Sequence, residues 1–511
     1  MARPEPELPV VVIGAGVAGL ASAMLLAARG QSVQVYEAAD TPGGKMREVR
    51  VGHSRVDAGP TVLTMRWVFE ELFADAGDTL GNHLELQPLE ILARHSWADG
   101  SRLDLHADHH RSVEAIAALA GAAQARRYEQ FCIRSRRAFE VLEPTFLRQA
   151  RPGLRHFLHP RTLQKLPYLW RSAPFSSLWQ ALAEHFPDPR LQQLFGRYAT
   201  YCGSSPFLAP ATLMLIAHVE QQGVWTVKGG MHQLARAMEA QARRLGVEFR
   251  YGQAVVDVLM KHGRASGVRL ANGLEVQAAA VIVNADPGAL AEGKLGPVMA
   301  RRMKGVDVSR RSLSAVTWCL ETRAEGFPLS RHNVFFSQDY IREFSELQQK
   351  RCLPADPTIY LCAQDRGDDG APGNPAPERL FVLVNAPSGG TTDWPLDDAI
   401  ASCETRTFDT LAKHGLRIEA AAGTCIRTTP ADFAQLFPGT GGALYGQATH
   451  GWRASFTRPG ARTGVAGLFL AGGGVHPGAG VPMAVMSGRF AARSALDELS
   501  RAGRLRRGKS L

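Results

Sequence analysis

The sequence predicts an α/β fold in which helices cover a parallel sheet, and three features support this. An apolar stretch at residues 10–13 leads into a glycine-rich turn and then a helix-favouring segment. A second apolar stretch, residues 32–36, ends at an acid, Glu37. Near the C-terminus, residues 464–471 are again apolar and lead into a glycine turn and a helical segment. Strand, glycine turn and helix in this order are typical of a Rossmann-like domain.

The first turn contains the dinucleotide-binding fingerprint, with Gly14, Gly16 and Gly19 at the required spacing. The first glycine permits the tight turn, the second lets the backbone approach a pyrophosphate, and the third allows close packing of helix on strand. The following helix, predicted over 20–29, presents unpaired N–H groups to the phosphates. Glu37 would then accept a hydrogen bond from a ribose hydroxyl.

A second glycine turn follows directly in residues 42–47, Pro-Gly-Gly-Lys-Met-Arg. A simple NAD site does not need this turn. An extended FAD site of the glutathione-reductase type uses a glycine turn together with two cations. In this sequence the turn contains Gly44, and the cations are Lys45 and Arg47. The segment therefore predicts FAD as the cofactor.

Residues 8–28 also allow interpretation as a signal peptide or membrane anchor, since they are almost wholly apolar and follow Arg3. The fingerprint glycines, the strand that follows at once, and the acids Glu5 and Glu7 argue against that interpretation. No other segment has the length and apolarity expected of a membrane span.

Composition places the chain among globular proteins with two or three domains, because 511 residues with 45% hydrophobic and 21% charged side chains can bury a large core. The seven cysteines are scattered and include no Cys-x-x-Cys pair. Neither a disulfide framework nor a metal site is therefore expected, which favours a reducing, cytoplasmic setting.

The net charge of +10 is unevenly distributed. No acid lies between Glu143 and Glu184, where cations alternate with aromatic residues and leucines. This mixture suits a lipid headgroup interface, so residues 144–183 are a candidate membrane-facing helical region. An ordinary solvated surface and a nucleic-acid surface are the alternatives. No nucleic-acid motif accompanies the charge, and we expect no nucleic-acid partner.

The remaining elements are predicted from periodicity and turn residues. They are a helix over 67–76, a hairpin over 90–106 with its turn at Asp99-Gly100, mostly helices over 112–222, strands over 247–251, 254–260, 267–270 and 276–283, and a loop over 366–379. After the C-terminal strand come glycines 472–474 and a helix over 483–496. The N-terminus of that helix would stabilise the negative charge of a reduced flavin.

Motifs spread along the chain support a more specific interpretation. They are the fingerprint with residues 42–45, Asp-Ala-Gly-Pro-Thr at 57–61, Gly-Val-Trp at 223–225, Gly-Gly-Met at 229–231, Asn-Ala-Asp at 284–286, and residues 473–482. Together they resemble the bacterial phytoene-desaturase-type carotenoid dehydrogenases over essentially the whole chain. Residues 64–69, 93–100 and 195–203 look like the branch known as methoxyneurosporene dehydrogenases, which desaturate 1-hydroxy or 1-methoxy carotenoids at C3–C4.

The resemblance implies a flavoprotein of the glutathione-reductase and amine-oxidase type. FAD would lie in a Rossmann-like domain formed by residues 8–90, 225–300 and 455–500. An interleaved substrate domain of sheet plus helices would comprise residues 91–224 and 301–454. The implied activity is FAD-dependent desaturation of a C40 carotenoid, at the C3–C4 bond of 1-hydroxy- or 1-methoxy-neurosporene or lycopene-type substrates. A phytoene desaturase or carotenoid isomerase of the same fold, an amine oxidase, and a non-enzymatic flavin- or carotenoid-binding protein are the alternatives.

The resemblance also implies which part of the cofactor each residue contacts. The fingerprint glycines would contact the pyrophosphate, and Glu37 would contact the ribose. Lys45 and Arg47 would lie near the flavin, and the backbone of Val255 would hold the adenine. The expected cofactor-binding residues are Gly14, Gly16, Gly19, Glu37, Gly44, Lys45, Arg47, Val255, Gly473, Val481 and Met483. Many relatives carry an acid after the C-terminal strand for the ribityl chain. Glycines stand there in this sequence, which leaves the ribityl contacts open.

The implied chemistry needs few catalytic groups. Hydride transfer to the flavin and loss of a proton from the neighbouring carbon remove two hydrogens, and the polyene spreads the developing positive charge. Orientation of the substrate would then supply much of the rate. Glu220 and His476 are the candidate acid–base residues, with a helix-surface acid and a backbone-positioning histidine as the alternatives.

An apolar tunnel is expected from the helical segment. Its candidate lining, which core packing explains equally well, is Leu208, Leu213, Met214, Leu215, Ile216 and Trp225. Arg66, His95 and Tyr198 are candidate partners for a hydroxylated end group. We also expect an external electron acceptor such as oxygen or quinone, and peripheral attachment at the cytoplasmic face of the membrane that supplies the carotenoid.

Overall fold

A computed structural model describes residues 8–152, 176–303, 308–367, 377–389, 396–419 and 423–507. The strands within these ranges are β1 (Val10–Ile13), β2 (Val33–Tyr36), β3 (Glu48–Val51), β4 (Ser54–Asp57), β5 (Leu86–Pro88), β6 (Ile91–Ser96), β7 (Arg102–His106), β8 (Trp225–Val227), β9 (Glu248–Arg250), β10 (Val255–Lys261), β11 (Arg264–Leu270), β12 (Glu275–Gln277), β13 (Ala280–Val283), β14 (Ser314–Glu325), β15 (His332–Phe335), β16 (Ile359–Ala363), β17 (Glu378–Ala386), β18 (Arg417–Glu419), β19 (Cys425–Thr428) and β20 (Leu468–Leu470).

The helices are α1 (Val17–Ala28), α2 (Arg66–Asp75), α3 (His109–Ala120), α4 (Ala122–Leu142), α5 (Leu178–His185), α6 (Pro189–Gly196), α7 (Leu215–Gln221), α8 (His232–Arg244), α9 (Pro287–Ala291), α10 (Pro297–Arg302), α11 (Tyr340–Ser345), α12 (Leu396–Lys413), α13 (Pro430–Leu436) and α14 (Val481–Arg507). A 3₁₀ helix, Arg197–Cys202, continues directly from α6.

A parallel sheet with the strand order β20-β13-β1-β2-β9 forms the first layer. β1 is completely buried, as a continuous apolar strand in the middle of a parallel sheet requires. The strands of this sheet come from the beginning, the middle and the end of the chain, so the sheet exists only when distant segments meet. α1 contacts α8 and α14, and the hydroxyl of Ser22 donates to the carbonyl of Gly488 in α14 at 3.0 Å.

A second, larger sheet has the order β18-β14-β17-β16-β15-β6-β7, and β19 also pairs with β14. Neighbouring strands are antiparallel except β6 and β15. Side chains alternate across the sheet: Val316, Trp318 and Leu320 on β14 pack with residues of α12, whereas Thr317 lines a cavity. Helices α3 to α7 pack around β6 and β7. One face of this sheet is therefore core, and part of the other is available to a ligand.

The predicted α/β class is confirmed, and most predicted elements are present within a few residues of their expected ends. The hairpin over 90–106 forms as β6 and β7. The expected strand over 276–283 is two strands, β12 and β13, which belong to different sheets. This split separates an antiparallel edge strand from a buried parallel strand, a distinction that apolar periodicity alone does not make.

Two other expectations need correction. Of the loop or disordered insertion predicted over 366–379, residues 368–376 lie outside the described residues. At its end, Glu378 and Arg379 already belong to β17, and Arg366 pairs with Glu378. The C-terminal helix, expected over 483–496, begins at Val481 and continues to Arg507.

Much of the predicted membrane-facing region, residues 153–175, lies outside the described residues. Among the helices of the described ranges, none combines the length and apolarity that crossing a bilayer requires. The limits of the two expected domains stay a prediction.

Candidate functional site

A cavity of about 1270 Å³ extends from the glycine turn after β1 to the free face of the larger sheet. Its volume exceeds the roughly 300–1,000 Å³ that suits one drug-sized ligand. There is therefore room for a dinucleotide at the turn and for a second ligand against the sheet. Most of the predicted cofactor residues line it: Gly14, Gly16, Glu37, Gly44, Lys45, Arg47, Val255, Gly473, Val481 and Met483.

The glycine turn is built on very close backbone contacts. Gly14 has a φ of 94°, in the left-handed region that favours glycine. A Cβ on Gly16 would lie 2.7 Å from Nδ2 of Asn284, and a Cβ on Gly19 would lie 2.1 Å from the carbonyl oxygen of Gly14. Gly19 lies outside the cavity lining, so its contribution is the approach of α1 to the turn. This approach directs the first-turn N–H groups of α1 at the cavity.

Glu37 follows β2 and lies across the same turn. Its carboxylate accepts hydrogen bonds from the backbone N–H groups of Ala15 at 2.6 Å and Ala39 at 2.8 Å. The segment that leads to Val255 runs alongside, because the N–H of Gln253 donates to the carbonyl of Glu37 at 2.8 Å. A carboxylate and a strand backbone are thus adjacent at one end of the cavity, as a ribose and an adenine require.

The second glycine turn brings two cations to the cavity. Lys45 Nζ donates to the carbonyl of Leu444 at 2.7 Å and lies 5.4 Å from the centre of the Phe437 ring. Burial lowers the pKa of Lys45 to about 8, and the nearby Asp286 opposes part of that shift. Burial likewise lowers the pKa of Arg47, whose Nη2 donates to the hydroxyl of Thr428 at 3.1 Å. Neither cation is free in solvent, so both are held in place along the cavity wall.

The C-terminal glycine turn lines the same cavity as these cations. Gly472 has a φ of 130°, and Gly473, Val481 and Met483 line the cavity at the start of α14. The turn itself carries no acid, but Asp286 approaches it from another segment and also lines the cavity. A Cβ on Gly474 would lie 2.9 Å from Asp286 Oδ2, which shows how closely this carboxylate approaches the turn.

Glu220, one of the two candidate acid–base residues, is buried on α7 and lines the cavity. Both carboxylate oxygens are occupied, because the hydroxyls of Tyr198 and Tyr201 each donate to one of them at 2.7 Å. Arg197 Nη2 in turn donates to the hydroxyl of Tyr201 at 2.9 Å. Glu220 is therefore the centre of a polar network rather than an isolated surface acid.

His476, the other candidate, lies outside the cavity lining. Its buried ring contacts the carbonyl oxygens of Gln149 at 2.8 Å and Phe146 at 3.2 Å through Nε2. Burial lowers the pKa of His476 to about 4, so the ring is neutral at pH 7. This geometry anchors the chain after α4 and agrees with the backbone-positioning alternative.

The expected partners of a polar end group are not at the cavity surface. Arg66 is partly exposed and forms an ion pair with Glu70 at 2.8 Å, and the buried ring of His95 packs between other aromatic residues. Tyr198 is occupied by Glu220. Of the expected apolar lining, Leu213, Leu215 and Ile216 line the cavity, Leu208 is exposed, and Met214 belongs to the core.

Sequence reasoning missed many of the polar residues that line the cavity, among them three from separate elements. These three are Arg197, His332 and Tyr340, from the 3₁₀ helix after α6, the start of β15 and the start of α11. Arg197 stands directly before Tyr198 in a segment already noted for its resemblance. His332 and Tyr340 belong to no recognisable motif, so no sequence signal identified them.

These residues fit FAD. The open backbone of the two glycine turns admits a pyrophosphate, the N-termini of α1 and α14 supply positive potential, and Glu37 offers an acceptor for ribose hydroxyls. The cavity beyond the turns continues to the free face of the larger sheet, where a flavin ring and a substrate can meet.

Comparisons with known proteins agree with this geometry. The model of the flavin-containing amine oxidoreductase family matches residues 17–496. The chain is 52% identical over 509 residues to the hydroxyneurosporene desaturase of Rubrivivax gelatinosus, covering 99% of this chain and 97% of the relative. It is 45% identical over 492 residues to the hydroxyneurosporene desaturase of Cereibacter sphaeroides, covering 96% and 98%.

Among solved structures, an oxidoreductase from Methanosarcina mazei superposes with a TM-score of 0.62 at 16% identity, covering 96% of this chain and 100% of that one. At this identity the match supports the fold alone. The family model, together with the fingerprint and its second glycine turn, confirms FAD as the cofactor. The chain belongs to the flavin-containing amine oxidoreductase family and, within it, to the phytoene-desaturase-type carotenoid dehydrogenases.

Proposed function

We propose that this protein is an FAD-dependent carotenoid desaturase that introduces the C3–C4 double bond into 1-hydroxy- or 1-methoxy-carotenoids of the neurosporene type. The main support is the continuity of one cavity from the glycine turns to the larger sheet. The extensive likeness to proteins named hydroxyneurosporene desaturases supports the substrate class.

The cavity wall beyond the glycine turns is suited to an elongated hydrocarbon. It includes Leu92, Ile216, Val334, Phe381 and Leu383, which come from α7 and from three strands of the larger sheet. Burying a polyene against these side chains releases water and restricts its position relative to the cofactor. Restricting two reactants to one geometry is itself a major source of rate.

FAD, when bound, supplies the hydride acceptor for the desaturation. The chain's own residues orient the substrate and exclude water. Within the described ranges no group of three metal-binding side chains is found. Glu220 accepts from two tyrosines, so its role in the proposal is to hold Tyr201 and Arg197 in place rather than to remove the proton.

We further propose that the protein attaches peripherally to the cytoplasmic face of the membrane and takes its substrate from the bilayer. Three large apolar side chains, Leu436, Trp452 and Phe456, both line the cavity and are 45–49% exposed. The Arg453 guanidinium lies 4.9 Å from the centre of the Trp452 ring. Aromatic side chains beside a cation suit a headgroup boundary. The electron acceptor in this proposal is external, such as oxygen or a quinone.

The proposal is tested by expressing the chain with a source of 1-hydroxyneurosporene and measuring the absorption and mass of the extracted pigment. A red shift with a loss of two hydrogens is the expected result. An altered spectrum at unchanged mass would assign the protein as an isomerase instead. Bound FAD with an unaltered pigment would contradict the proposal and favour phytoene as substrate or a binding function.

Membrane attachment is tested separately by carbonate and high-salt washes of the membrane fraction. Peripheral attachment predicts that these washes release the protein. Protein that only detergent releases would contradict it.

A further inference from the structure

A patch of hydrogen-bonding groups interrupts the apolar part of the cavity. Arg197, His332 and Tyr340 line it, and the last two are only 2% and 4% exposed. Arg197 Nε, His332 Nε2 and the Tyr340 hydroxyl have no hydrogen-bond partner among the described residues. Leaving such a group unsatisfied in the interior is costly, because the group loses its hydrogen bond to water and gains none in return. Three of them around one chamber indicate that a polar ligand atom completes the site.

The protonation states make this patch a set of donors. Burial alone would lower the pKa of the Arg197 guanidinium, but Tyr201 and Glu220 raise it above its usual value, so Arg197 is always charged. Burial, with the charges of Arg331 and Arg197, lowers the pKa of His332 to about 3, so its ring is neutral.

A hydrogen-bonded chain orients the His332 ring. Its Nδ1 lies 2.8 Å from the Tyr360 hydroxyl, which lies 2.6 Å from the hydroxyl of Thr61. With Tyr360 donating to Nδ1, the neutral ring carries its proton on Nε2, the atom that lacks a partner. Donors from three elements therefore line the same cavity. The Arg197 charge lies close enough to add to the fall in the pKa of His332 and to oppose the rise that burial causes in the pKa of Tyr340. An oxygen that accepts hydrogen bonds is the complementary ligand group.

The same chain of hydrogen bonds connects the patch to the cofactor end of the cavity. Thr61 follows Gly59, which lies so close to the second glycine turn that a Cβ there would be 2.0 Å from the carbonyl oxygen of Lys45. In a 1-hydroxy- or 1-methoxy-carotenoid, only two carbon–carbon bonds separate C1 from C3. An oxygen held at this patch would thus place C3 and C4 near the wall that the cofactor segment forms.

We propose that Arg197, His332 and Tyr340 bind the oxygen at C1 of the carotenoid end group and determine the preference for oxygenated substrates. The inference rests on the proposed function and deepens it. Both an alcohol and a methyl ether present an acceptor oxygen, so one set of donors serves both end groups. A hydrocarbon end group leaves all three donors unpaired, which disfavours it.

Tyr340→Phe is the sharpest test, because it preserves the ring and removes only a hydroxyl that has no partner in the described part of the chain. The measurement is kcat/KM for 1-hydroxyneurosporene divided by kcat/KM for neurosporene, which lacks the oxygen. We expect this ratio to fall about tenfold, which is the effect of losing one hydrogen bond. The fall should come from a lower kcat/KM for 1-hydroxyneurosporene, while kcat/KM for neurosporene stays unchanged. Tyr251→Phe, at a hydroxyl outside the cavity lining, is the matched control and should leave the ratio unchanged.

A second variant, Arg197→Lys, keeps the charge but shortens its reach, and the same fall in the ratio is expected. Arg197→Lys tests the inference by itself if Tyr340→Phe does not yield FAD-loaded protein. Equal effects on both substrates, or an unchanged ratio in both variants, would overturn the inference while leaving the desaturase activity intact. A wild-type protein that converts neither substrate would overturn the proposed function itself, and the inference with it.

Discussion

Gly19→Ala isolates the contribution of close backbone packing to the cofactor site. In an ordinary helix this change would add about 1 kcal/mol of stability, because alanine has the higher helix propensity. Here the new Cβ would lie 2.1 Å from the carbonyl oxygen of Gly14, whereas ordinary contacts begin at 3.4 Å. The helix and the glycine turn must therefore separate by about 1.3 Å.

The surroundings of α1 oppose that movement. On its other side the helix backbone touches α14, where a Cβ on Gly488 would lie 2.2 Å from the carbonyl oxygen of Ala18. Overpacking of a tight core costs about 1–3 kcal/mol, and here the obstacle is backbone rather than a flexible side chain. Taking the upper end of that range and subtracting the propensity gain, we expect a net loss of about 2 kcal/mol in the free energy of unfolding.

The affinity for FAD should fall as well, because α1 directs its first-turn N–H groups at the pyrophosphate. A shift of more than 1 Å predicts at least about a tenfold weaker Kd, equivalent to about 1.4 kcal/mol. FAD titration of the apoprotein, followed by flavin fluorescence, measures this value, and urea unfolding of the apoprotein measures the stability.

Gly81→Ala is the matched control, since its Cβ would meet nothing within 4 Å. We expect it to leave both quantities near those of the wild type. If Gly19→Ala bound FAD as tightly as the wild type and resisted urea equally well or better, helix propensity would dominate and the packing argument would be refuted.

Three buried groups provide further tests. Glu378→Ala breaks its buried pair with Arg366, which two hydrogen bonds of 2.7 Å join, and should lower the free energy of unfolding in urea by about 3–5 kcal/mol. The control is Glu85→Ala, at an exposed pair with Lys228, which should lower the free energy of unfolding by at most about 1 kcal/mol. His476→Gln should keep kcat within about threefold of the wild type, because His476 only positions backbone. Loss of a general acid or base would instead lower kcat by about 10²–10⁴-fold. The pKa of His476 falls from 6.5 to about 4 on folding, so the unfolded chain binds more protons between these values. Wild-type stability, followed by urea unfolding, should therefore fall as the pH drops from 6.5 to 4, and less so in His476→Gln. Lys45 has a pKa of about 8 when folded and 10.5 otherwise, so the stability of the apoprotein should rise from pH 8 to 10.5. Lys45→Met should abolish that rise, and an unchanged pH profile would contradict the buried charge.

The nucleotide-binding half of the site was accessible to sequence reasoning because its information is local. The turn at Gly14, the acid at Glu37 and the cations at Lys45 and Arg47 lie within one short stretch of chain. Their spacing reflects a strand, a turn and a helix that contact one another in sequence order. The structure places these four residues on the same cavity, as that spacing predicts.

The polar patch was not accessible in the same way. Arg197, His332 and Tyr340 come from separate elements, and His332 reaches the cavity because β15 pairs in parallel with β6, more than two hundred residues earlier in the chain. Likewise, the placement of His476 against the carbonyls of Phe146 and Gln149 depends on a contact across three hundred residues. A sequence pattern does not specify which of many buried histidines or tyrosines will meet.

The sequence by itself thus determined the α/β class and predicted the nucleotide-binding turn, since periodicity and glycine spacing act within single elements. The family followed from the resemblance of motifs spread along the chain. Only the tertiary structure decided that Glu220 is held by two tyrosines, that His476 lies outside the cavity lining, and that three donors without a partner among the described residues line one cavity. The physical reason is that burial and hydrogen-bond satisfaction are properties of side chains from distant segments, and these acquire definite neighbours only when the sheets assemble.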